Sequence, residues 1–161
     1  MIDRLRGIYR LLIFIGVVCF HIGRVFFMLF TKGKDEKRAM IIRMECLAQA
    51  SRLVGIQTEV HGRLPIGGGL LVCNHRSYID PVLIMGSIPA IPIAKIQVSK
   101  WPVIGFGLKL TGMLFVDRES EEGRRQTKTD MTNTLLNNKA LINYAEGTTH
   151  TESQTIEFKK A

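Results

Sequence analysis

The segment LLVCNHRSYIDPVLIM, at residues 70–85, places a histidine and an aspartate five residues apart between two apolar runs. On a continuous helix, five residues correspond to about 140° of rotation, so the side chains of His75 and Asp80 would diverge. Asp80 is followed by Pro81, and Asp is a favoured N-cap residue while Pro is favoured at the first helical position. The segment therefore predicts a strand that ends at Asn74, a tight loop that carries His75, and a helix that starts at Asp80.

Short apolar runs continue to alternate with helical stretches along the chain. The predicted strands are residues 58–62, 70–74, 91–95, 113–116 and 140–144, and the predicted helices are residues 35–54, 81–86, 100–110 and 121–137. This alternation predicts an α/β fold with a largely parallel or mixed sheet flanked by helices. In such sheets, sites lie beyond the C-terminal ends of the strands, and His75, Arg118 and Glu146 each follow a predicted strand.

The first quarter of the chain combines positive charge with an apolar stretch. Up to Arg43 it contains nine Lys/Arg and three Asp/Glu residues, within a chain whose formal net charge is +8. Residues 8–30 are long enough to span a bilayer, but His21 and Arg24 interrupt them. This pattern favours a membrane-inserted or interfacial anchor helix over a true span, and a core helix is least favoured. We therefore divide the chain into a helical membrane-associating segment at residues 1–55 and an α/β domain at residues 56–161.

The cations on both sides of the apolar stretch favour an anionic membrane surface as a partner. Nucleic acid is a poor alternative, because the basic residues lack the interleaved aromatic residues of a base-stacking surface. The glycines at 67–69 do not predict a phosphate-binding loop, because no Gly-Lys-Ser/Thr follows them. Cys19, Cys46 and Cys73 have no CxxC spacing, so we expect reduced structural cysteines and no metal site.

The residue types at these strand ends can support acid–base chemistry. A neutral imidazole at His75 can accept a proton, and the Asp80 carboxylate can fix its tautomer and stabilise the imidazolium. Ser77 lies nearby but has no Gly-x-Ser-x-Gly context, which favours direct transfer to a substrate hydroxyl. Arg118 can hold a phosphate, and a salt bridge with Asp117 or Glu119 is the alternative.

Three segments together resemble the glycerolipid acyltransferases, the family of lysophosphatidic acid acyltransferase. They are NHRSYID at residues 74–80, GMLFVDR at residues 112–118 and EGT at residues 146–148. They match that family's NHxxxxD block, its Gly-x-x-Phe-x-x-Arg block and its Glu-Gly-Thr block in the same order. The resemblance covers roughly residues 55 to 160, and the apolar, basic N-terminus resembles the family's membrane-associating helical segment.

The resemblance implies a role for each matched residue. His75 would be the general base and Asp80 its orienting partner. Arg118 would bind the acceptor phosphate, and Glu146, Gly147 and Thr148 would help to position the acceptor. The implied reaction moves an acyl group from acyl-CoA or acyl-carrier protein to the sn-2 hydroxyl of 1-acylglycerol-3-phosphate, at the cytoplasmic face of the inner membrane. It needs no metal or redox cofactor.

The sequence departs from the family pattern in two ways. Ala145 and Thr149 stand where the third block commonly has Pro and Arg. The family's fourth, proline-containing apolar block is not reached before Ala161, so we expect the C-terminal part of the family fold to be missing. These departures leave two alternatives: an acyltransferase for another lysolipid, such as lyso-ornithine lipid, or a truncated, inactive protein that binds anionic membranes.

Overall fold

The computed structural model describes residues 2–63, 67–77, 79–102, 104–147, 149 and 158. The helices are α1 (Ile2–Lys32), α2 (Glu36–Leu53), α3 (Asp80–Ser87), α4 (Ile104–Leu110) and α5 (Glu121–Leu136), with a 3₁₀ helix, η1 (Ile96–Lys100). The strands are β1 (Gly69–Cys73), β2 (Ala90–Lys95), β3 (Leu114–Val116) and β4 (Ala140–Tyr144). Within the described residues, these four strands form one parallel sheet in the order β1-β4-β2-β3. The predicted α/β class is confirmed.

The strand order determines which helices cover each face of the sheet. The chain moves across the sheet in one direction from β1 to β2 and on to β3, and then returns to place β4 between β1 and β2. Parallel crossovers are right-handed, so the reversal puts α3 and α4 on one face and α5 on the other. α2 contacts both α3 and α4, while α5 contacts β3 and β4. All four strands end at one edge, which we call the carboxyl edge.

Two of the predicted elements differ from the observed ones. The predicted strand at residues 58–62 is wrong, because these residues have no regular structure and are exposed, so no buried face stabilises pairing. The predicted helix at residues 100–110 is instead η1 followed by α4. Pro102 accounts for this break, since a residue that precedes proline is disfavoured in helical conformation. Trp101 accordingly has an extended backbone, with a ψ of 130°.

Apolar side chains from α3 and the sheet form the main core. Its buried members are Met85, Ile88, Ala90, Met113, Ala140 and Ile142. The guanidinium of Arg43 on α2 enters this region and donates to the Ala90 carbonyl oxygen at 2.7 Å and to the Thr111 hydroxyl at 3.3 Å. Burial lowers the pKa of Arg43 to about 10. Arg43 thus ties α2 to the sheet and to the end of α4.

Within the described residues, one helical stretch, Leu5–Lys32, is long and apolar enough to cross a membrane. The two polar residues that interrupt it face α2. His21 is buried, and its Nε2 lies 3.4 Å from the Gln49 side-chain oxygen, while Arg24 forms an ion pair with Glu45. Large apolar side chains on the other sides of α1 are exposed, among them Leu12, Phe20, Phe27 and Phe30. Packing on α2 therefore explains both interruptions.

Candidate active site

The loop after β1 brings the predicted pair together. The Nδ1 atom of His75 lies 3.3 Å from Oδ2 of Asp80, and both side chains are largely buried. The same Asp80 oxygen accepts hydrogen bonds from the backbone amides of Arg76 at 2.7 Å and Ser77 at 2.8 Å. Asp80 therefore organises the loop as well as facing the imidazole.

The helix does start at Asp80, but Asp80 is not its N-cap. Ile79 occupies the cap position and makes no side-chain cap hydrogen bond. The predicted capping role of Asp80 is wrong, because its carboxylate turns back to the loop amides that precede the helix. Pro81 lies in the first turn, as predicted.

The pair has the geometry of a base and an orienting carboxylate. A carboxylate accepts hydrogen bonds, so Asp80 favours the His75 tautomer that carries its proton on Nδ1. In that tautomer Nε2 has the free lone pair. His75 can therefore accept a proton at Nε2, and Asp80 can stabilise the resulting imidazolium.

Tyr144, which the sequence did not single out, packs against the candidate base. Its ring lies 4.4 Å from the His75 ring, centroid to centroid, at an interplanar angle of 32°. Burial, then the nearby Cys73 and Asp80, raises the pKa of the Tyr144 phenol, which therefore stays protonated. Its hydroxyl has no hydrogen-bond partner among the residues that the structure describes. Its place at the end of β4, two residues before Glu146, is the signal that could have identified it.

Glu146 lies beneath the histidine loop. Its side chain is 0% exposed, and its Oε2 accepts a hydrogen bond from the His75 backbone amide at 2.9 Å. β4 lies beside β1 in the sheet, which brings the two strand ends together. Glu146 therefore fixes the main chain of His75, and its predicted contact with the acceptor stays a prediction.

Arg118 and Gly147 meet at the carboxyl edge. The Arg118 guanidinium donates from Nη1 to the Gly147 carbonyl oxygen at 3.0 Å, and Gly147 has a φ of +67° that favours glycine. Within the part of the chain that is described, Arg118 forms no ion pair with Asp117 or Glu119. Thr148, the third residue of the predicted acceptor segment, lies outside the described residues.

A cavity of about 350 Å³ lies between α5 and the sheet at this edge. It is lined by Arg118, Arg124, Thr127, Lys128 and Met131, together with β-strand residues that include Asn143 and Tyr144. The α5 members follow i, i+3, i+4, i+7 spacing, so they share the helix face that turns toward the sheet.

Two of these α5 residues, Arg124 and Lys128, were not predicted as site residues. Both side chains are exposed, so they lie where the cavity opens to solvent. The Arg124 guanidinium donates from Nη1 to the Arg118 carbonyl oxygen at 2.6 Å. No carboxylate lines the cavity within the described residues. The cavity is therefore suited to an anionic group, and the i, i+4 spacing of its two cations is the signal in the sequence.

The geometry assigns no catalytic role to the three cysteines, although Cys73 ends β1 next to the histidine loop. Cys19, Cys46 and Cys73 are free thiols. Burial raises the pKa of Cys46, and burial together with Asp80 raises that of Cys73, so both thiols stay protonated. Among the described residues, no three His, Cys, Asp or Glu side chains cluster as metal ligands.

Residues 57–161 match the family model described as Acyltransferase. The chain is 33% identical over 112 residues to a lyso-ornithine lipid O-acyltransferase of Brucella abortus, covering 69% of this chain and 42% of that protein. It is 30% identical over 149 residues to a 1-acyl-sn-glycerol-3-phosphate acyltransferase of Helicobacter pylori, covering 91% of this chain and 60% of that protein.

A mouse 1-acyl-sn-glycerol-3-phosphate acyltransferase alpha is 27% identical over 135 residues, which cover 80% of this chain and 47% of that protein. The chain thus spans roughly half the length of these curated relatives. No solved structure matches the chain significantly.

Proposed function

Because this chain belongs to the acyltransferase family, we propose that it transfers a fatty acyl group to the sn-2 hydroxyl of 1-acylglycerol-3-phosphate, giving phosphatidic acid. The acyl donor is acyl-CoA or acyl-carrier protein. The proposal rests on the contact of His75 with Asp80 at 3.3 Å. Tyr144 packs against the His75 ring and also lines the cationic cavity, so the candidate base and the cavity are neighbours. The 1-acyl-sn-glycerol-3-phosphate acyltransferase of Helicobacter pylori, which aligns with 91% of the chain, supports this acceptor.

The reaction follows from the roles that the geometry allows. Nε2 of His75 removes the proton from the acceptor hydroxyl as its oxygen attacks the thioester carbonyl carbon. Asp80 stabilises the imidazolium that forms. The tetrahedral intermediate then collapses, the carbon–sulfur bond breaks, and His75 returns the proton to the departing thiolate. The thioester is already activated, so positioning and proton transfer are the main requirements, and neither a metal nor a redox cofactor enters this scheme.

Direct transfer to the acceptor is favoured over a covalent acyl-enzyme. Ser77 is the nearest hydroxyl in sequence, but its Oγ accepts a hydrogen bond from the Ile79 backbone amide at 3.2 Å and caps the turn. A serine nucleophile would instead need hydrogen-bond contact with the base. The acceptor hydroxyl is therefore the nucleophile that His75 activates.

The cavity supports a phosphate-bearing acceptor. Arg118, Arg124 and Lys128 line it without a carboxylate among the described residues. Cations arranged in this way suit a phosphate dianion, which accepts several charge-assisted hydrogen bonds. An ornithine headgroup differs from a phosphate in that it also carries a positively charged ammonium group. None of the described residues that line the cavity has a carboxylate that could pair with this ammonium group.

Acyl transfer to lyso-ornithine lipid is the second candidate function, because several relatives are named lyso-ornithine lipid O-acyltransferases. A thiol-release assay with 1-acylglycerol-3-phosphate and lyso-ornithine lipid as alternative acceptors separates the two. Arg124→Gln should raise the KM for the phosphate acceptor about 10- to 100-fold, since one charge-assisted hydrogen bond contributes about 1.5–3 kcal/mol. Arg125→Gln is the matched control, because Arg125 pairs with Glu122 and does not line the cavity.

The assignment of a phosphate-bearing acceptor would be contradicted if only lyso-ornithine lipid supported turnover and Arg124→Gln left that turnover unchanged. No thiol release with any acceptor would instead support an inactive protein that binds anionic membranes.

We also propose that α1 associates the protein with a membrane, at the cytoplasmic face of the inner membrane. Its exposed apolar side chains and its basic residues support an interfacial position. Cosedimentation with vesicles of mixed phosphatidylcholine and phosphatidylglycerol tests this association, with pure phosphatidylcholine vesicles showing how much anionic lipid contributes.

A further inference from the structure

Exposed aromatic side chains of the α/β domain, on α4 and on the segment that precedes it, lie beside an exposed aromatic side chain of α1. Phe26 on α1, Trp101 after η1 and Phe106 on α4 are each at least half exposed, at 59%, 54% and 50%. The rings of Phe26 and Phe106 stack with centroids 6.5 Å apart and an interplanar angle of 21°. The exposed side of α4 therefore continues the exposed side of α1. We call these three residues the aromatic surface.

The charges around this surface favour a lipid partner. Residues 95–116 contain three lysines and no acidic residue. Of these lysines, Lys100 directly precedes Trp101, and Lys109 lies one turn after Phe106, with both side chains exposed. Lysines beside exposed aromatic residues suit the boundary between anionic headgroups and acyl chains, where indole rings are enriched.

We propose that the aromatic surface inserts into the headgroup–acyl boundary of the phospholipid leaflet to which α1 binds. The proposal rests on the proposed membrane association of α1 and adds a contact made by the α/β domain itself. A membrane is favoured over a protein partner because the surface is continuous with α1, which carries many other exposed apolar side chains.

This contact would orient the domain on the membrane. α4 lies on one face of the sheet and α5 on the other, so insertion of Trp101 and Phe106 would direct α5 away from the lipid. η1 follows β2 at the carboxyl edge, the same edge that carries His75. The contact would therefore hold this edge close to the interface, where the acyl chain of a lysolipid acceptor resides.

Trp101 is the only tryptophan in the chain, so its fluorescence reports on this surface without labelling. The full chain is mixed with vesicles of phosphatidylcholine and phosphatidylglycerol, with and without bromine atoms near the top of the acyl chains. We expect a blue shift of the emission and quenching of about twofold or more by the brominated lipid, as for an indole at the interface. Phe106→Ser should weaken the quenching, with circular dichroism confirming that this variant remains folded.

The matched control moves the reporter to the opposite face. Leu136, at the end of α5, is 80% exposed, and the double variant W101F/L136W should show no quenching while it still sediments with vesicles. Equal quenching at both positions, or an unquenched Trp101 in vesicle-bound protein, would overturn the proposal. Failure to bind vesicles would overturn the α1 anchor and this contact together.

Thiol release measured in detergent is independent of these readouts. Quenching without thiol release would leave the membrane contact standing and contradict the proposed enzyme activity. Thiol release with an unquenched Trp101 would support the proposed enzyme activity and contradict the membrane contact.

Discussion

Replacing Asp80 with asparagine separates the two roles that one carboxylate oxygen combines. Oδ2 of Asp80 accepts hydrogen bonds from two backbone amides, at 2.7 and 2.8 Å, and lies 3.3 Å from Nδ1 of His75. An asparagine oxygen in the same place keeps acceptors for the loop amides. It removes the negative charge that stabilises an imidazolium at His75.

The structure sets the size of each effect. At an effective dielectric constant of about 20, unit charges 3.3 Å apart attract by about 5 kcal/mol. Solvent at the partly open site reduces this attraction, so we expect kcat to fall about 10²- to 10⁴-fold in Asp80→Asn. Hydrogen bonds to a neutral acceptor are each weaker by about 1 kcal/mol, so the unfolding free energy should fall by no more than about 2 kcal/mol.

Two measurements on the same protein test these figures. Thiol release from acyl-CoA with 1-acylglycerol-3-phosphate gives kcat, and urea unfolding gives the stability. Asp130→Asn is the matched control, because the Asp130 carboxylate on α5 accepts only from the exposed Gln126 side chain among the described contacts. An Asp80→Asn variant with kcat within about threefold of wild type would refute the stabilisation of the imidazolium by Asp80.

Two further predictions concern stability. Because burial lowers the pKa of Arg43 to about 10, the unfolded chain holds this proton more tightly than the folded chain does. Wild type should therefore gain stability relative to Arg43→Met as the pH rises above about 10. The gain should be at most about 1.4 kcal/mol per pH unit in denaturant unfolding, and a constant difference would contradict the burial of this charge. Gly112→Ala should lower the unfolding free energy by about 1–3 kcal/mol, because Gly112 has a φ of +72° that strains an alanine. A Cβ atom there would also displace the Glu36 side chain, which pairs with Lys139. Unchanged urea unfolding would contradict this strain.

Most of the α/β framework was predictable from residues 69–144, because its strands are short apolar runs between turn residues and helix-start signals. The strand Ala140–Tyr144 was predicted to the residue. The predicted strand at 58–62 failed because alternation shows only that one side could be buried, and none of the four described strands pairs with these residues. The placement of α3 and α4 on one face of the sheet and of α5 on the other follows from the strand order, which the local sequence does not specify.

The positions of the candidate site residues were predicted in part, and their roles stay predictions. His75, Asp80, Arg118 and Glu146 all lie at the carboxyl edge, as expected for residues that follow parallel strands. The hydrogen bond of Glu146 to the His75 backbone was not predictable, since it depends on β4 lying beside β1.

The cations on α5 were also missed. Arg124 and Lys128 lie among many polar residues in that helix, and only the position of the sheet shows which of them line the cavity. Their role in acceptor binding is a proposal from the structure, whereas that of Thr148 stays a prediction from the sequence.

Thiol release by the purified chain tests the role of His75 as the general base most directly. The assay is run in detergent micelles with acyl-CoA and 1-acylglycerol-3-phosphate, comparing wild type with His75→Ala and with His61→Ala. His61 is an exposed histidine paired only with Glu59 among the described ion pairs, so its replacement controls for the loss of an imidazole. We predict acceptor-dependent thiol release in wild type and His61→Ala, and a loss of about 10²-fold or more in folded His75→Ala. Wild-type turnover in His75→Ala would contradict the account.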